Sequence, residues 1–176
     1  MLKKYISLLR AVNVGGNNLL AMSDLKKELI EAGFQNPQTY LQSGNLILED
    51  QRSIHAVNQE IQALIKDKFD IEISVLTYSD HVFQEIFKSQ PFIGSSFDTK
   101  KIYFSFLKTI PDKNLLDEFL NKTFSDEKFI VRNGVLYGYY ENGYGKSKMN
   151  GSSIERNLKV TCTARNFNTV QKLANC

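Results

Sequence analysis

Apolar and polar positions along the first part of the chain switch several times between the two-residue period of a strand and the longer period of a helix. Val57, Ile61, Leu64 and Ile65, for example, recur at helical spacing. The predicted elements are strand 4–9, a helix after the N-cap Ser23, a hairpin of 39–42 and 46–49, a helix opened by Ser53, and strand 71–77. Their order is β, α, β, β, α, β.

The second part of the chain repeats this order without repeating the sequence. Its predicted elements are strand 101–107, a helix after Asp112, strand 128–132, an Asn133-Gly134 turn, strand 135–140, a helix near 153–158, strand 160–163 and a terminal helix over 166–174. The pattern predicts an α+β protein with βαββαβ subdomains over 1–78 and 101–176. A bridging helix and a Gly- and Ser-containing connector occupy 79–100.

The composition is that of a globular chain and indicates no particular partner. Of 176 residues, 42% are hydrophobic, and 22 Lys and Arg against 19 Asp and Glu give a net charge of +3. This mild basicity neither requires nor excludes a polyanionic partner. The two cysteines, Cys162 and Cys176, have neither the number nor the spacing of a disulfide framework or a zinc site.

Cellular location and metal binding are predicted from what the sequence lacks. No apolar run approaches the ~18 residues that a membrane span requires. No cluster of His, Asp or Glu has metal-ligand spacing. We therefore expect a cytoplasmic protein with no membrane contact and no metal site. The sequence indicates neither a cofactor nor an oligomeric state.

A Gly- and Asn-rich loop after the first strand is the first candidate site. Asn13, Gly15, Gly16 and Asn17 lie between a predicted strand and a predicted helix, where backbone amides of a glycine-rich turn can face an anion. The spacing fits neither the dinucleotide-binding motif nor the P-loop. The alternative is a plain turn that requires a positive φ at Gly15 or Gly16.

The basic segment of Lys146, Ser147 and Lys148 is the second candidate. With Gly145 it resembles the end of a P-loop, but Tyr140 stands where that motif requires its first glycine. Two lysines on a flexible loop can still bind a phosphate. The alternative is an ordinary solvated loop, since exposed lysines are the default on protein surfaces.

The start of the terminal helix is the third candidate. Arg165, Asn166, Asn168 and Thr169 gather hydrogen-bond donors at a helix N-terminus, which suits a carboxylate or a phosphate. An asparagine at this place is equally well explained as an N-cap.

The tip of the first hairpin, Ser43-Gly44-Asn45, is predicted to present an exposed hydroxyl. It has no nucleophile-elbow context, and neither His55 nor His81 has a sequence cue that ties it to Ser43. A different feature is the group of tyrosines on the second hairpin and its loop. Stacking on bases is one use of such a face, and ordinary sheet packing is the other. These tyrosines are Tyr137, Tyr139, Tyr140 and Tyr144.

Several blocks together resemble the bacterial domain-of-unknown-function family numbered 1697. They are LLRAVNVGGNN at 8–18, TYLQSGN at 39–45, QPF at 90–92, SKM at 147–149, and TARNFNTV at 163–170 followed by Lys172 and Leu173. The chain departs from the family pattern in having Ala11 where Gly is usual, Gln90 where Asn is usual and Phe167 where Trp is usual.

The resemblance implies a fold of two tandem ferredoxin-like (βαββαβ) subdomains plus a C-terminal helix, in agreement with the repeat of elements. It implies no activity, substrate or cofactor. Its departures argue against any role that needs a flexible residue at position 11 or an indole N–H at position 167.

Our functional hypothesis is the binding of an anionic ligand, either a phosphorylated small molecule or a nucleic acid. Loops 13–18, 43–45 and 165–169 would converge into one polar site, joined by Arg10. One alternative is an enzyme in which Arg10 or Arg165 steadies charge while Ser43 or a water reacts, although no general base is evident. The other is a protein-interaction module with an apolar patch around the tyrosine hairpin.

Overall fold

The computed structural model describes residues 1–122 and 124–176 and divides into two compact units, Met1–Phe83 and Gln84–Cys176. The division falls within the helix Asp80–Lys88. Each unit contains a four-stranded antiparallel sheet. No helix in the described part of the chain has the length and apolar character to cross a bilayer.

The first unit is the βαββαβ arrangement predicted from the sequence. Its elements are β1 (Lys3–Leu9), α1 (Met22–Glu31), β2 (Gln35–Tyr40), β3 (Asn45–Asp50), α2 (Ile54–Phe69) and β4 (Val75–Ser79). The strand order is β2-β3-β1-β4, and Ser7 of β1 pairs with Leu46 on β3 and Thr77 on β4. Both helices contribute to one hydrophobic core with the sheet. That core includes Leu9, Leu25, Leu29, Leu46, Val57, Ile61 and Ile65.

A small polar network crosses this core. The Thr77 hydroxyl donates to Oδ1 of Asn58 on α2 (2.7 Å) and lies 2.7 Å from the Ser7 hydroxyl. Ser7 and Thr77 are buried, and the network satisfies their hydroxyls. It therefore fixes α2 against the two strands at a defined position.

Three elements of the first unit begin two or more residues away from the prediction. α1 begins two residues early, because the carbonyl of Ala21 accepts from Asp24 N (3.1 Å) and Leu25 N (3.0 Å), so the prediction of Ser23 as the N-cap was wrong. β2 spans Gln35–Tyr40 rather than 39–42. β4 begins at Val75 rather than at Ile71. Ser53 does cap α2, since its side chain accepts from Ala56 N (3.3 Å).

Helix α3 (Asp80–Lys88) leads into the second unit, which repeats the same order. Its elements are β5 (Ile102–Leu107), α4 (Lys113–Leu120), β6 (Glu127–Arg132), β7 (Val135–Tyr140), α5 (Gly151–Leu158), β8 (Cys162–Asn166) and α6 (Phe167–Ala174). The strand order β6-β7-β5-β8 is the same permutation as in the first unit. The predicted turn is present, with φ of 51° at Asn133 and 74° at Gly134. The predicted α+β fold of two tandem ferredoxin-like subdomains with a C-terminal helix is confirmed.

The two faces of the second sheet carry different cores. On the face covered by α4 and α5 the core contains Leu107, Phe119, Leu136, Ile154, Leu158 and Cys162. The other face is aromatic: Phe104 contacts Tyr137 and the ring of Phe87 from α3, while the Tyr137 hydroxyl donates to the carbonyl of Ile86 (2.9 Å). Burial raises the pKa of Tyr137 to about 12.

The tyrosine hairpin belongs to the interior of the protein. Tyr137, Tyr139 and Tyr140 are all less than 5% exposed. Ordinary sheet packing therefore explains them, and their faces are not free for stacking on bases. The apolar surface patch that a protein-interaction module would need is not formed by these three residues.

Candidate functional site

The Gly- and Asn-rich loop after β1 is a small hairpin held at its base by Asn13. The Asn13 side chain donates to the carbonyls of Leu20 (2.9 Å) and Gln42 (2.8 Å), and its Oδ1 accepts from Leu20 N (2.8 Å). Val14 and Asn17 form an isolated β-bridge, with Gly15 and Gly16 between them at φ of 59° and 78°. Asn13 thus acts as a clamp, and the exposed tip is Gly15, Gly16 and Asn17.

The turn between β2 and β3 packs directly against this loop. An added Cβ on Gly44 would lie 2.5 Å from Val12 Cγ2 and 2.8 Å from Leu9 Cβ, and the carbonyl of Gly44 accepts from Leu9 N (2.8 Å). With the Asn13 to Gln42 hydrogen bond, these contacts bring together the two predicted loops of the first unit. We call these two segments, 9–20 and 41–45, the loop pair.

Within the loop pair, Ser43 and Asn45 differ from the prediction. Asn45 is the first residue of β3 and is fully buried, and its amide donates to the carbonyl of Tyr40 (2.7 Å) and to Ser43 Oγ (3.1 Å). Ser43 is half-buried rather than fully exposed. Arg10 is anchored at its backbone, where its N–H donates to the carbonyl of Ser74 (2.9 Å).

The third predicted segment lies in the second unit, at the junction of β8 and α6. Asn166 caps α6 by accepting from Thr169 N (2.9 Å), and Thr169 is itself buried while Asn168 is exposed. Arg165 is only 7% exposed; its Nη1 donates to Thr163 Oγ1 (2.8 Å) and to the carbonyl of Ala164 (2.9 Å). Burial lowers the pKa of Arg165 to about 10, and the guanidinium stays charged at neutral pH.

The basic segment lines a cleft of about 280 Å³ in the second unit. This cleft, which we call the basic-loop cleft, contains all three predicted residues, Lys146, Ser147 and Lys148. The remaining lining residues are Ser125, Asp126, Glu127, Tyr140, Asn142 and Gly143. The second candidate therefore coincides with a concave surface that has cationic, anionic and neutral polar groups.

The wall of the basic-loop cleft is built by the paired ends of β6 and β7. Glu127 pairs with Tyr140, and the carbonyl of Asp126 accepts from Glu141 N (2.8 Å). Ser125 Oγ donates to Asp126 Oδ2 (3.0 Å). The two carboxylates thus lie on backbone that the sheet holds in place.

The rest of the lining comes from the loop after β7, which is held by internal hydrogen bonds. Ser147 Oγ donates to Glu127 Oε1 and accepts from Met149 N (2.8 Å). The Tyr144 hydroxyl accepts from Gly151 N (3.0 Å), and its ring stacks on Tyr103 with centroids 4.2 Å apart. Burial raises the pKa of Tyr144, so its hydroxyl remains protonated at neutral pH. These contacts join the loop to β6, to β5 and to the start of α5.

Four residues of this lining were not predicted from the sequence: Ser125, Asp126, Glu127 and Asn142. A signal for the first three was present, because a two-residue Asn133-Gly134 turn sets the register that places Glu127 opposite Tyr140. Among the described residues, no group of three or more His, Cys, Asp or Glu has a metal-binding arrangement. The chemistry available in the cleft is hydrogen bonding and charge pairing.

Comparison with known proteins identifies the family and the fold. No curated protein matches the chain in sequence. A solved structure, that of the conserved bacterial protein SP0830 from Streptococcus pneumoniae, is similar with a TM-score of 0.76 and 19% identity, over 99% of this chain and 98% of that one. A family model described as a protein of unknown function (DUF1697) matches residues 2–137, which excludes the resembling blocks at 147–149 and 163–173. The chain belongs to the DUF1697 family, whose function is unknown.

Proposed function

We propose that this protein binds a small anionic ligand in the basic-loop cleft, with Lys146 and Lys148 as the groups that contact the anion. The observation that carries the proposal is the position of both lysines on one polar cleft of about 280 Å³. A lysine ammonium supplies three donors and a compact charge, which suits a phosphate or carboxylate.

The internal hydrogen bonds of the other candidate segments favour the cleft over them. The side chains of Asn13, Asn45 and Asn166 all bond to backbone groups of the protein itself. A side chain that already satisfies backbone groups loses those bonds if it turns to a ligand, which costs about 0.5–1.5 kcal/mol for each. Lys146 and Lys148 are exposed on the cleft.

The size of the cleft favours a small molecule over a nucleic acid. Sites for drug-sized ligands are about 300–1,000 Å³, and the cleft lies just below that range. A nucleic-acid interface is larger and more strongly cationic, whereas Asp126 and Glu127 line the same cleft as the two lysines here. If single-stranded nucleic acid does bind, its affinity must fall steeply as salt is raised.

The enzyme alternative gains no support at Ser43. The amide of Asn45 donates to Ser43 Oγ and occupies an acceptor position on the hydroxyl, whereas a catalytic serine needs a base that removes its proton.

Convergence of the three loop segments stays a prediction of its own. It is tested by cross-linking a Gly15→Cys, Asn168→Cys double variant on a Cys176→Ser background with a short bifunctional maleimide. Efficient intramolecular cross-linking supports one shared site, and no cross-link at any reagent length below about 15 Å, roughly the span of four extended residues, argues against it.

The proposed function is tested by thermal shift against phosphate, sulfate, phosphorylated sugars and carboxylates. The test variant is Lys146→Gln with Lys148→Gln, and the matched control, Lys3→Gln with Lys172→Gln, makes the same change in net charge on exposed positions elsewhere. We expect at least one anion to raise the melting temperature of the wild type and the control but not of the test variant. Equal shifts in all three proteins, or no shift with any anion at millimolar concentration, would overturn the proposal.

A further inference from the structure

We infer that the ligand of the basic-loop cleft is a phosphorylated polyol, such as a sugar phosphate, rather than a bare anion; this inference rests on the proposed function. The starting point is the charge of the cleft lining. Lys146 and Lys148 contribute two positive charges, Asp126 and Glu127 contribute two negative charges, and the formal sum is zero. A neutral lining does not concentrate a dianion by its field, so affinity must come from directional hydrogen bonds.

The carboxylates are placed to accept hydrogen bonds from hydroxyl groups. An ionised carboxylate offers about four acceptor positions. Asp126 already accepts from the Ser125 hydroxyl (3.0 Å), and Glu127 accepts from the Ser147 hydroxyl. Each carboxylate thus already accepts from one hydroxyl and retains acceptor capacity. Hydroxyls of a polyol extend this network without adding charge, and Asn142 offers a further donor and acceptor on the same surface.

The two kinds of group come from different segments of the chain that line the cleft together. The carboxylates belong to the strand ends and the turn before β6, and the lysines belong to the loop after β7. A ligand with a phosphate at one end and hydroxyls at the other matches this division. Inorganic phosphate has no hydroxyl chain to reach the carboxylates, and its charge is repelled by Asp126 and Glu127 on the same lining. The internal hydrogen bonds of both segments lower the entropic cost of binding such a ligand.

The test measures the affinity of four probes for the full chain by isothermal titration calorimetry. The probes are inorganic phosphate, a hexose 6-phosphate, the unphosphorylated hexose, and O-phosphoethanolamine, which carries an ammonium in place of hydroxyls. We expect the hexose phosphate to bind at least about tenfold more tightly than phosphate, since each hydrogen bond to a charged group contributes about that factor or more. We expect no measurable binding of the free hexose.

The variant Asp126→Asn is the more specific test, because it should change the affinities for hexose phosphate and for inorganic phosphate in opposite directions. It removes an acceptor charge for hydroxyls and a repulsive charge for phosphate, so hexose phosphate should bind more weakly and inorganic phosphate more tightly. Equal affinity of phosphate and hexose phosphate, with both abolished by the double lysine variant, would overturn the polyol inference and leave the proposed anion binding intact. Tighter binding of phosphoethanolamine than of hexose phosphate would also overturn it. Binding of none of the anions would overturn both.

Discussion

Replacement of Gly44 by alanine tests whether the packing of the loop pair contributes to the stability of the first unit. Gly44 has a φ of 77°, and a Cβ there would meet Val12 Cγ2 at 2.5 Å and Leu9 Cβ at 2.8 Å. Both distances are shorter than van der Waals contact, and neither neighbour can move easily because both are buried. The backbone must therefore shift, and the hydrogen bond from Leu9 N to the carbonyl of Gly44 (2.8 Å) shifts with it.

The magnitude follows from two separate costs. An alanine in left-handed backbone costs about 1–2 kcal/mol relative to glycine. Overpacking a buried contact costs about 1–3 kcal/mol more. Lower entropy of the unfolded alanine chain offsets about 0.4–1 kcal/mol. We expect Gly44→Ala to lower the free energy of unfolding by about 2–4 kcal/mol, a large part of the ~5–15 kcal/mol of a typical domain.

Gly33→Ala is the matched control for this experiment. Gly33 lies in the same unit with a φ of 88°, and nothing stands within 4 Å of its added Cβ, so it incurs the backbone cost without the clash. Urea unfolding followed by circular dichroism gives both free energies. Gly44→Ala should be the less stable variant by about 1–3 kcal/mol, the overpacking cost alone. Equal stability of the two variants would refute the packing role of Gly44.

Four further predictions concern single side chains. Ala11 has a φ of 55°, so Ala11→Gly should raise the free energy of unfolding, measured by urea titration, by up to about 1 kcal/mol. Asn13→Ala removes three hydrogen bonds and should cost about 2–4 kcal/mol by the same titration. The hydrogen bonds from Arg52 lower the pKa of the Asp50 carboxyl in the folded state. The pair therefore stabilises the protein above the pKa of the unfolded carboxyl, and this stabilisation is lost as the pH falls below about 4. Asp50→Asn should make the free energy of unfolding depend less on pH in this acid range. Asn166→Ala should cost about 1 kcal/mol through loss of the α6 cap, whereas Asn168→Ala at an exposed position should change stability by less than about 0.5 kcal/mol.

The fold was predictable because its signals are local and repeated. Helical spacing of apolar residues predicts α2, Ser53 marks its first turn, and the Asn133-Gly134 turn fixes the hairpin of β6 and β7. Boundaries were less predictable where tertiary contacts decide them. Ala21 begins α1 with its backbone carbonyl alone, and this leaves no side-chain signal in the sequence.

The lysines of the basic-loop cleft could be predicted from the sequence, but its carboxylates could not. Lys146 and Lys148 stand out as a local basic motif, but Asp126 and Glu127 are about twenty positions away and reach the same surface through strand pairing. Charged residues that are neighbours along the chain can be recognised in the sequence. A site that combines opposite charges from two distant segments can be recognised only when the register of the strands is known.

The Gly- and Asn-rich motifs, which were predicted as ligand sites, also have structural roles. Asn13 clamps its own loop to Gln42, Gly44 fits where no side chain can, and Asn45 is a buried donor at the start of β3. Asparagine and glycine are suited to this work, since an amide replaces missing backbone partners and glycine tolerates positive φ. Polar side chains that do not already bond to the protein's own backbone are the better guide to function. In this protein we propose Lys146 and Lys148 for that role, because both are exposed on a concave surface where Ser125 and Ser147 already donate to the carboxylates.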